Sequence, residues 1–520
     1  AGLGDLPDTL RGLVAARLDA LPQDERQTLV NAAVWGRRGP IEALEKMGEK
    51  EPSTAAHSVA DALEGLAAKE VLLVEGRRWT FHSDLVRDVA YSTLTKADRA
   101  RKHAGIATYL EEHPDTATDE RVVDILAYHF NIAARLAVEM GDMAHLRPDV
   151  GERALHWLLE AARRADRADL HQSAARLYGQ MVELATLLDR QEHVIGAVLG
   201  RAHSLAELRD LGAARADVGR ALAAAEETGD RSILARALVV LGDVEWREGD
   251  HAAAVNTLDR AVDVFQELGD RQGLARALRS RGMADLMVGA HDDAPETLEA
   301  ALAAAREVGD VRGEAWALQN LAWIAFVDGD PDQAEHRLAE AIAKFTDIGD
   351  KGGLSWAYGL MAWIQFRLGH NDEADALVDR VLPEARARGD QWGEGMMLVL
   401  QSVMRLWEGR AGEAHDIAAA AVANFRRIDD VFGQVQAFGP VGRSLIALGR
   451  VDEGFAALEE MLGVHGITSD MRNLALTAVA GAAVHVGEPH RLPPELRDVG
   501  PDQFGRSAIS NEEQLVALGL

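Results

Sequence analysis

Six large aromatic side chains share one register of a repeating pattern, and they are the residues best suited to recognise a ligand. They are Trp316, Trp323 and Phe326, then Trp356, Trp363 and Phe366 forty residues on. In each set they fall two before, five after and eight after a large apolar residue, Leu318 or Tyr358. Trp246, Leu286 and Leu406 continue the row to either side, with Met396 and Trp392 nearby. Steps of three and seven residues return to one face of a helix. In a chain that is 5% aromatic, such a row predicts a groove for an apolar peptide, a helix or a small ligand. The same rings could instead fill wide gaps between long helices and pack on neighbouring units.

Residue sets for catalysis do not emerge. There is no HExxH pair, no GxSxG elbow and no GxxxxGK(S/T) phosphate loop. The chain has no Cys, which removes disulfides, thiolate metal sites and cysteine nucleophiles. Asp328-Gly-Asp330-Pro-Asp332 opens like a calcium loop, but Gln333 stands at its sixth position and Ala339 at its twelfth. A calcium loop needs Gly and Glu there, so the segment reads as a turn. No cofactor, metal or catalytic residue is expected.

The aromatics sit inside a strict forty-residue period. Gly-Asp recurs at 229–230, 269–270, 309–310, 349–350 and 389–390, with Asp429-Asp430 in the same phase. Ala174, Ala214, Ala254, Ala294, Ala334, Ala374 and Ala414 form one column, followed by Gly454. Ala221, Ala261, Ala301, Ala341, Val381 and Ala421 form a second. Ala202, Gly242, Gly282, Ala322, Ala362, Ser402 and Gly442 form a third, each four residues after a large apolar one. Small residues in register let helices approach closely while larger neighbours fill the space beside them. Leu238, Leu241, Gly242, Gly249, Ala254, Leu258 and Ala261 have spacing that resembles a tetratricopeptide repeat in a longer, forty-residue form. That resemblance implies an all-α, right-handed solenoid of helix pairs, with the first helix of each pair lining the concave side. It turns the aromatic row toward that side.

Composition is that of a globular chain: 520 residues, 27% charged, 48% hydrophobic. No apolar run approaches the ~18–20 residues that cross a bilayer. The absence of Cys fits a reducing, cytoplasmic setting. The net charge of −29 is spread evenly. It argues against a nucleic-acid face, which needs clustered Lys and Arg, and suits a large solvated helical surface. The first residues, AGLGDLPDTL, carry no initiator Met, so a fragment of a longer protein is expected.

Along the chain, 7–22, 23–35 and a short segment from Pro40 to Met47 read as helices, followed by 53–69 with Ser53 or Thr54 as cap. Val71–Val74, a turn at 75–78 and Trp79–Phe81 read as a β-hairpin. Helix resumes at about 84, breaks near Thr95 and continues through 97–112. Helices, a hairpin and a return to helix predict a winged-helix domain over 1–115. A helical connector at 116–150 follows, then eight repeat pairs over 151–470. A capping helix at 472–486 and an irregular tail, with a short helix at 511–518, fill 471–520.

LPDTLRGLVAARLDALPQDERQTLVNAAVWG and FHSDLVRDVAYSTLTKADRARKHAGIATYLEEH resemble the segment that follows the ATPase module in actinobacterial STAND-type regulators. These include class III adenylate cyclases with a central ATPase and a C-terminal repeat array. The resemblance covers about 1–190, and RVVDILAYHFNIAARLAV at 121–138 is similar to that family's connector. It implies an ATPase or cyclase domain upstream in the parent protein. It also implies a nucleotide-state contact at His82 and Arg87. The sequence departs from the family there: Ser83 occupies the place four before Arg87 where the family sets its sensing His, and His82 is displaced by one. Segment 76–103 carries seven Lys or Arg against three acidic residues. It could face a nucleotide phosphate or simply form a solvated helix face.

These readings predict a non-enzymatic regulatory part of a signalling protein. The repeats would bind a protein, a peptide or a small effector and relay the change through the winged helix to an upstream ATPase or cyclase. A scaffold without switching is the alternative, and a DNA-binding regulator a further one. No membrane partner is expected.

Overall fold

The computed structural model describes residues 8–49, 58–112, 122–141, 146–287, 293–467 and 469–492. They cluster into two compact units, Ala1–Arg164 with Ser173–Gly200, and Ala165–Gln172 with Arg201–Leu520.

The first unit begins with α1 (Asp8–Asp19), α2 (Gln23–Trp35), β1 (Arg38–Pro40), α3 (Ile41–Glu49), α4 (Val59–Ala68), β2 (Leu72–Glu75) and β3 (Arg78–Phe81). Then come α5 (Asp84–Ser92), α6 (Lys96–Glu112), α7 (Val122–Met140), most of α8 (Val150–Arg167), α9 (His171–Leu187) and the start of α10 (Gln191–Glu207). Helix α4 starts at Val59, where the Ser58 side chain accepts from the Asp61 N–H. The cap is therefore Ser58 and not Ser53 or Thr54, which lie outside the described residues. A serine there satisfies one of the open amides of the first turn.

The hairpin forms with Val74 opposite Trp79, and a third strand joins it, giving the antiparallel order β1-β3-β2. That strand was not legible in the sequence: Arg38-Gly39-Pro40 has no β pattern. It pairs because Gly39 lets the backbone lie directly against two indoles. A Cβ on Gly39 would stand 2.7 Å from Trp35 and 2.8 Å from Trp79. Trp79 is fully buried among Leu29, Leu66, Leu72 and Phe81, and its indole N–H donates to the Pro40 carbonyl at 3.3 Å. Val89 joins this core, with Leu85 and Tyr91 packed at its margin.

The second unit continues through α11 (Leu211–Thr228), α12 (Arg231–Glu248), α13 (His251–Leu268), α14 (Arg271–Met287), α15 (Asp293–Val308), α16 (Val311–Val327) and α17 (Pro331–Asp347). It is completed by α18 (Lys351–Arg367), α19 (Asn371–Arg388), α20 (Gln391–Trp407), α21 (Ala411–Arg427), α22 (Val431–Ala447), α23 (Val451–Leu462), α24 (Ser469–Val486) and a 3-10 turn at Pro489–Arg491. Read in order, α8 to α23 make eight helix pairs, and α24 follows them. The 511–518 segment lies outside the described residues. From α11 on, each helix packs on the next, and the first helices of successive pairs, α12 to α22, also pack on one another. The architecture is an all-α solenoid of tetratricopeptide-like pairs with a small sheet near the N-terminus.

The Gly-Asp punctuation explains the pairs locally. Gly269 ends α13 in the left-handed conformation, φ +67°, which glycine adopts without a Cβ penalty. Asp270 then accepts from the Gly273 N–H at 2.9 Å and starts α14. Asp230, Asp250, Asp310, Asp330, Asp350, Asp390 and Asp430 cap in the same way. Asp330 thus serves as a helix cap within the calcium-like stretch. The seven-membered Ala column from Ala174 to Ala414 is wholly buried. The column of small residues on the first helices is steric in the same way: a Cβ on Gly242 or Gly442 would meet Leu258 or Leu458 at 2.5 Å.

Candidate ligand groove on the first helices of the repeats

Helices α12, α14, α16, α18 and α20 stand side by side, so positions forty residues apart line one continuous wall. Trp356, on α18, is 38% exposed. It stacks on Trp392 of α20 with ring centroids 4.9 Å apart and planes 18° from parallel. Trp316 of α16 is half-buried, edge-on to Phe345 at 5.4 Å, with the Arg279 guanidinium 5.9 Å from its centroid. Trp323 and Phe326 lie 6.2 Å apart, half-buried against the core of their own repeats, and Arg367 covers Phe326 at 5.3 Å. Trp363 is half-buried on the adjoining core. Phe366 meets Trp407 edge-on at 6.5 Å. Trp246 is half-buried beside Arg247, its indole N–H enclosed and without a hydrogen-bond partner among the described residues.

Met396 does not belong to the wall. It is 7% exposed, within the buried cluster that holds Leu400, Val422 and Phe425. The forty-residue register matches it to Trp316 and Trp356, but the smaller thioether is drawn into the core, where a flexible chain fills irregular space. Leu286 is likewise buried and Leu406 half-buried. The row therefore divides. Trp356 offers open aromatic surface, stacked on the half-buried Trp392, and the others mainly pack.

In the first unit, His82 is exposed, and its backbone N–H donates to the Val71 carbonyl at 3.3 Å. Arg87 is half-buried and turned onto Asp88, with Nε 3.0 Å and Nη2 2.5 Å from Oδ1. The Arg87 guanidinium is thus occupied locally, while the His82 ring stands at the surface. Nearby, two fully buried imidazoles meet, His103 Nδ1 and His129 Nδ1 at 2.7 Å, with Tyr91 Oη 2.9 Å from His103 Nε2. Burial holds His103 down at about 4 and His129 well below its usual value, so both stay neutral near pH 7.

Sequence reasoning missed the charged groups of the wall. On α10 and α12, burial raises the Glu207 carboxyl, but Arg247 and the imidazoles of His203 and His171 overcome it and hold it at about 2. His203 is pushed to about 4 by burial and by Arg276, against Glu207, Asp166 and Asp243. Asp169 is raised to about 6 by burial and by Asp350, against His171 and Arg312. Arg312 Nε is 2.7 Å from Asp350 Oδ2, and Arg209 Nη2 is 2.6 Å from Asp430 Oδ2. The signal was present in the columns: His203 and Asp243 hold the register of Trp323 and Trp363, and Arg236 and Arg276 that of Trp316 and Trp356. An aromatic filter passes over them.

No group of three or more His, Asp or Glu is placed to hold a metal ion among the described residues. No helix among them is long and apolar enough to cross a membrane. What the fold and the wall define is a repeat solenoid whose first helices carry a mixed aromatic and charged face.

The tetratricopeptide repeat family pattern matches residues 194–267, 234–306 and 273–347. No curated protein matches the chain. Among solved structures, the chain is similar to a signal transduction ATPase with numerous domains and a tetratricopeptide repeat sensor, from Pyrococcus horikoshii. The identity is 12% and the TM-score 0.47, over 99% of this chain and 66% of that one. This chain thus spans just under two thirds of that protein's length. A Rap protein complexed with competence and sporulation factor is similar at 13% identity and TM-score 0.42, over 69% of this chain and 98% of that one. NprR in complex with its cognate peptide NprX is similar at 14% identity and TM-score 0.44, over 62% and 98%.

Proposed function

We propose that this chain is the sensory part of a cytoplasmic regulatory protein. Its repeats bind a peptide, protein segment or small effector along the first-helix wall. The N-terminal unit, which has the helix and hairpin order of a winged helix, relays the change to an ATPase or nucleotide cyclase elsewhere in the parent. Catalysis is no part of this reading. The observation that carries it is the Trp356–Trp392 stack: an exposed indole lies on a half-buried one on a shared wall, where water contact is costly unless a partner covers it.

Trp356→Ala and Trp392→Ala test it. Binding should be lost while the thermal transition of the chain moves little. A large stability loss with binding retained would make the rings core and end the groove reading. The relay is tested by hydrogen exchange: protection at 76–103 should change when the repeats are loaded, and unaltered exchange there would remove the relay for that ligand.

A further inference from the structure

The wall changes character along its length, and the change is in register. The position held by Trp316 and Trp356 on α16 and α18 is held by Arg236 on α12 and Arg276 on α14. Arg279, one turn further along α14, lies 5.9 Å from the Trp316 ring. Most arginines of the repeats are tied to a carboxylate, as Arg201 is to Asp217 at 2.7 Å and Arg312 to Asp350. Arg236, Arg276 and Arg279 make no hydrogen bond or ion pair among the described residues. Arg236 and Arg276 are exposed and Arg279 half-buried. Arg279 also sits among like charges: burial lowers its pKa, and Arg276 and Arg312 lower it further, against Asp243 and Glu207. Arg279 has no carboxylate within hydrogen-bond distance, only Asp243 and Glu207 acting from further off, and with the two exposed arginines beside it forms a cationic cluster suited to an anion in a chain of net charge −29.

We propose that this wall binds an extended peptide of about nine residues, with acidic side chains at one end and aromatic or large apolar side chains at the other. The acidic end lies against Arg236, Arg276 and Arg279, and the apolar end on Trp316 and Trp356. The proposal rests on the groove reading above and adds the chemistry and polarity of the occupant. Length decides between a peptide and a small molecule. Adjacent packed helices stand about 8–10 Å apart, so Arg236 to Trp356, three helices on, spans about 24–30 Å. An extended chain covers that in about seven to nine residues at ~3.3 Å each. A single small metabolite bridges one such step and leaves either the arginines or the stacked rings unmet.

The test is a fluorescein-labelled, position-scanned nonapeptide library offered to the full chain, read by fluorescence anisotropy. Selection of Asp and Glu at one end and of Trp, Phe or Leu at the other is expected, weakening at least tenfold from 50 to 300 mM salt. The double variant Arg276→Glu with Arg279→Glu should switch the selection at that end to Lys and Arg, with helix content and thermal transition kept. A merely structural role for the two arginines does not invert a preference. Selection of apolar residues alone, unchanged in the double variant, overturns the acidic class and leaves the groove. Absence of any selection overturns both. Should the double variant unfold, Arg236→Glu, on an exposed position, provides the same inversion test at the outermost site.

Discussion

Arg209 and Asp430 are 221 residues apart in sequence, and their Nη2 and Oδ2 atoms are 2.6 Å apart in space. Arg209 lies in the turn between α10 and α11, in the left-handed region at φ +62°, and its Nη1 also donates to the Arg247 carbonyl at 3.2 Å. Asp430 caps α22 by accepting from the Gly433 N–H at 2.6 Å. The pair is largely buried, with side-chain exposures of 21% and 8%. The solenoid has therefore turned far enough for the second pair's turn to touch the start of the eighth.

Removing the arginine leaves a buried carboxylate with only its capping amide, and uncompensated buried charge costs about 3 kcal/mol. Arg209→Ala should lower the urea midpoint accordingly and raise the radius of gyration measured by X-ray scattering. An unchanged radius would show that curvature is fixed by helix packing alone.

A second contact closes the same turn of the solenoid. A Cβ on Gly352 would lie 1.6 Å from Asp169 Oδ2, so the Asp169 carboxylate would have to move. Gly352→Ala is expected to cost about 1–3 kcal/mol by overpacking. The change should be largely relieved in the double variant with Asp169→Ala, so that the two effects are non-additive. Additive losses in a double-mutant cycle would contradict the contact.

Two buried groups give stability opposite pH slopes. Asp169 titrates at about 6 in the fold, raised from 3.8 chiefly by burial. Its contribution is full below about 3.8 and is lost as pH rises through about 6, at most about 3 kcal/mol by linkage. His203 is lowered from 6.5 to about 4, again chiefly by burial. Its contribution is present above about 6.5 and lost as pH falls through about 4. Urea denaturation between pH 4 and 7 should therefore show Asp169→Asn removing a loss on the rising limb. His203→Gln should remove a loss on the falling one. Parallel curves for both variants would refute the assignment.

The aromatics should separate by stability. Trp316 packs on Phe345, and Trp316→Ala should cost about 3 kcal/mol as a core truncation. Trp356, open on one face, should cost about 1 kcal/mol, the value of its stacking. Thermal unfolding of the two variants measures both, and the reverse order would move the open surface to Trp316.

How much of this was readable depends on range. The Ala column from 174 to 414 and the Gly-Asp ends gave the helix pairs, because period and caps act within one repeat. The short strand at Arg38–Pro40 was invisible, since its partner, Thr80 to Arg78, lies some forty residues on and no local pattern marks it. Met396 was misplaced because register tells which face a position takes but not how far a flexible side chain is drawn inward. The pairs Arg209–Asp430 and Asp169–Gly352 depend on how many repeats complete a turn, which periodicity alone does not fix.

Arrays of this kind ordinarily change length by gaining or losing whole units, since each touches only its neighbours. Between the second and eighth pairs here, that freedom is gone. Deleting one forty-residue unit would bring α24, which begins at Ser469, to the place that Asp430 now holds. The residue in the register of Asp430 would then be Asp470, the second residue of that helix, where Asp430 precedes its own helix as the cap. Closure thus ties one ion pair to the number of units between its partners, so a change of length inside the turn also changes which unit Arg209 meets.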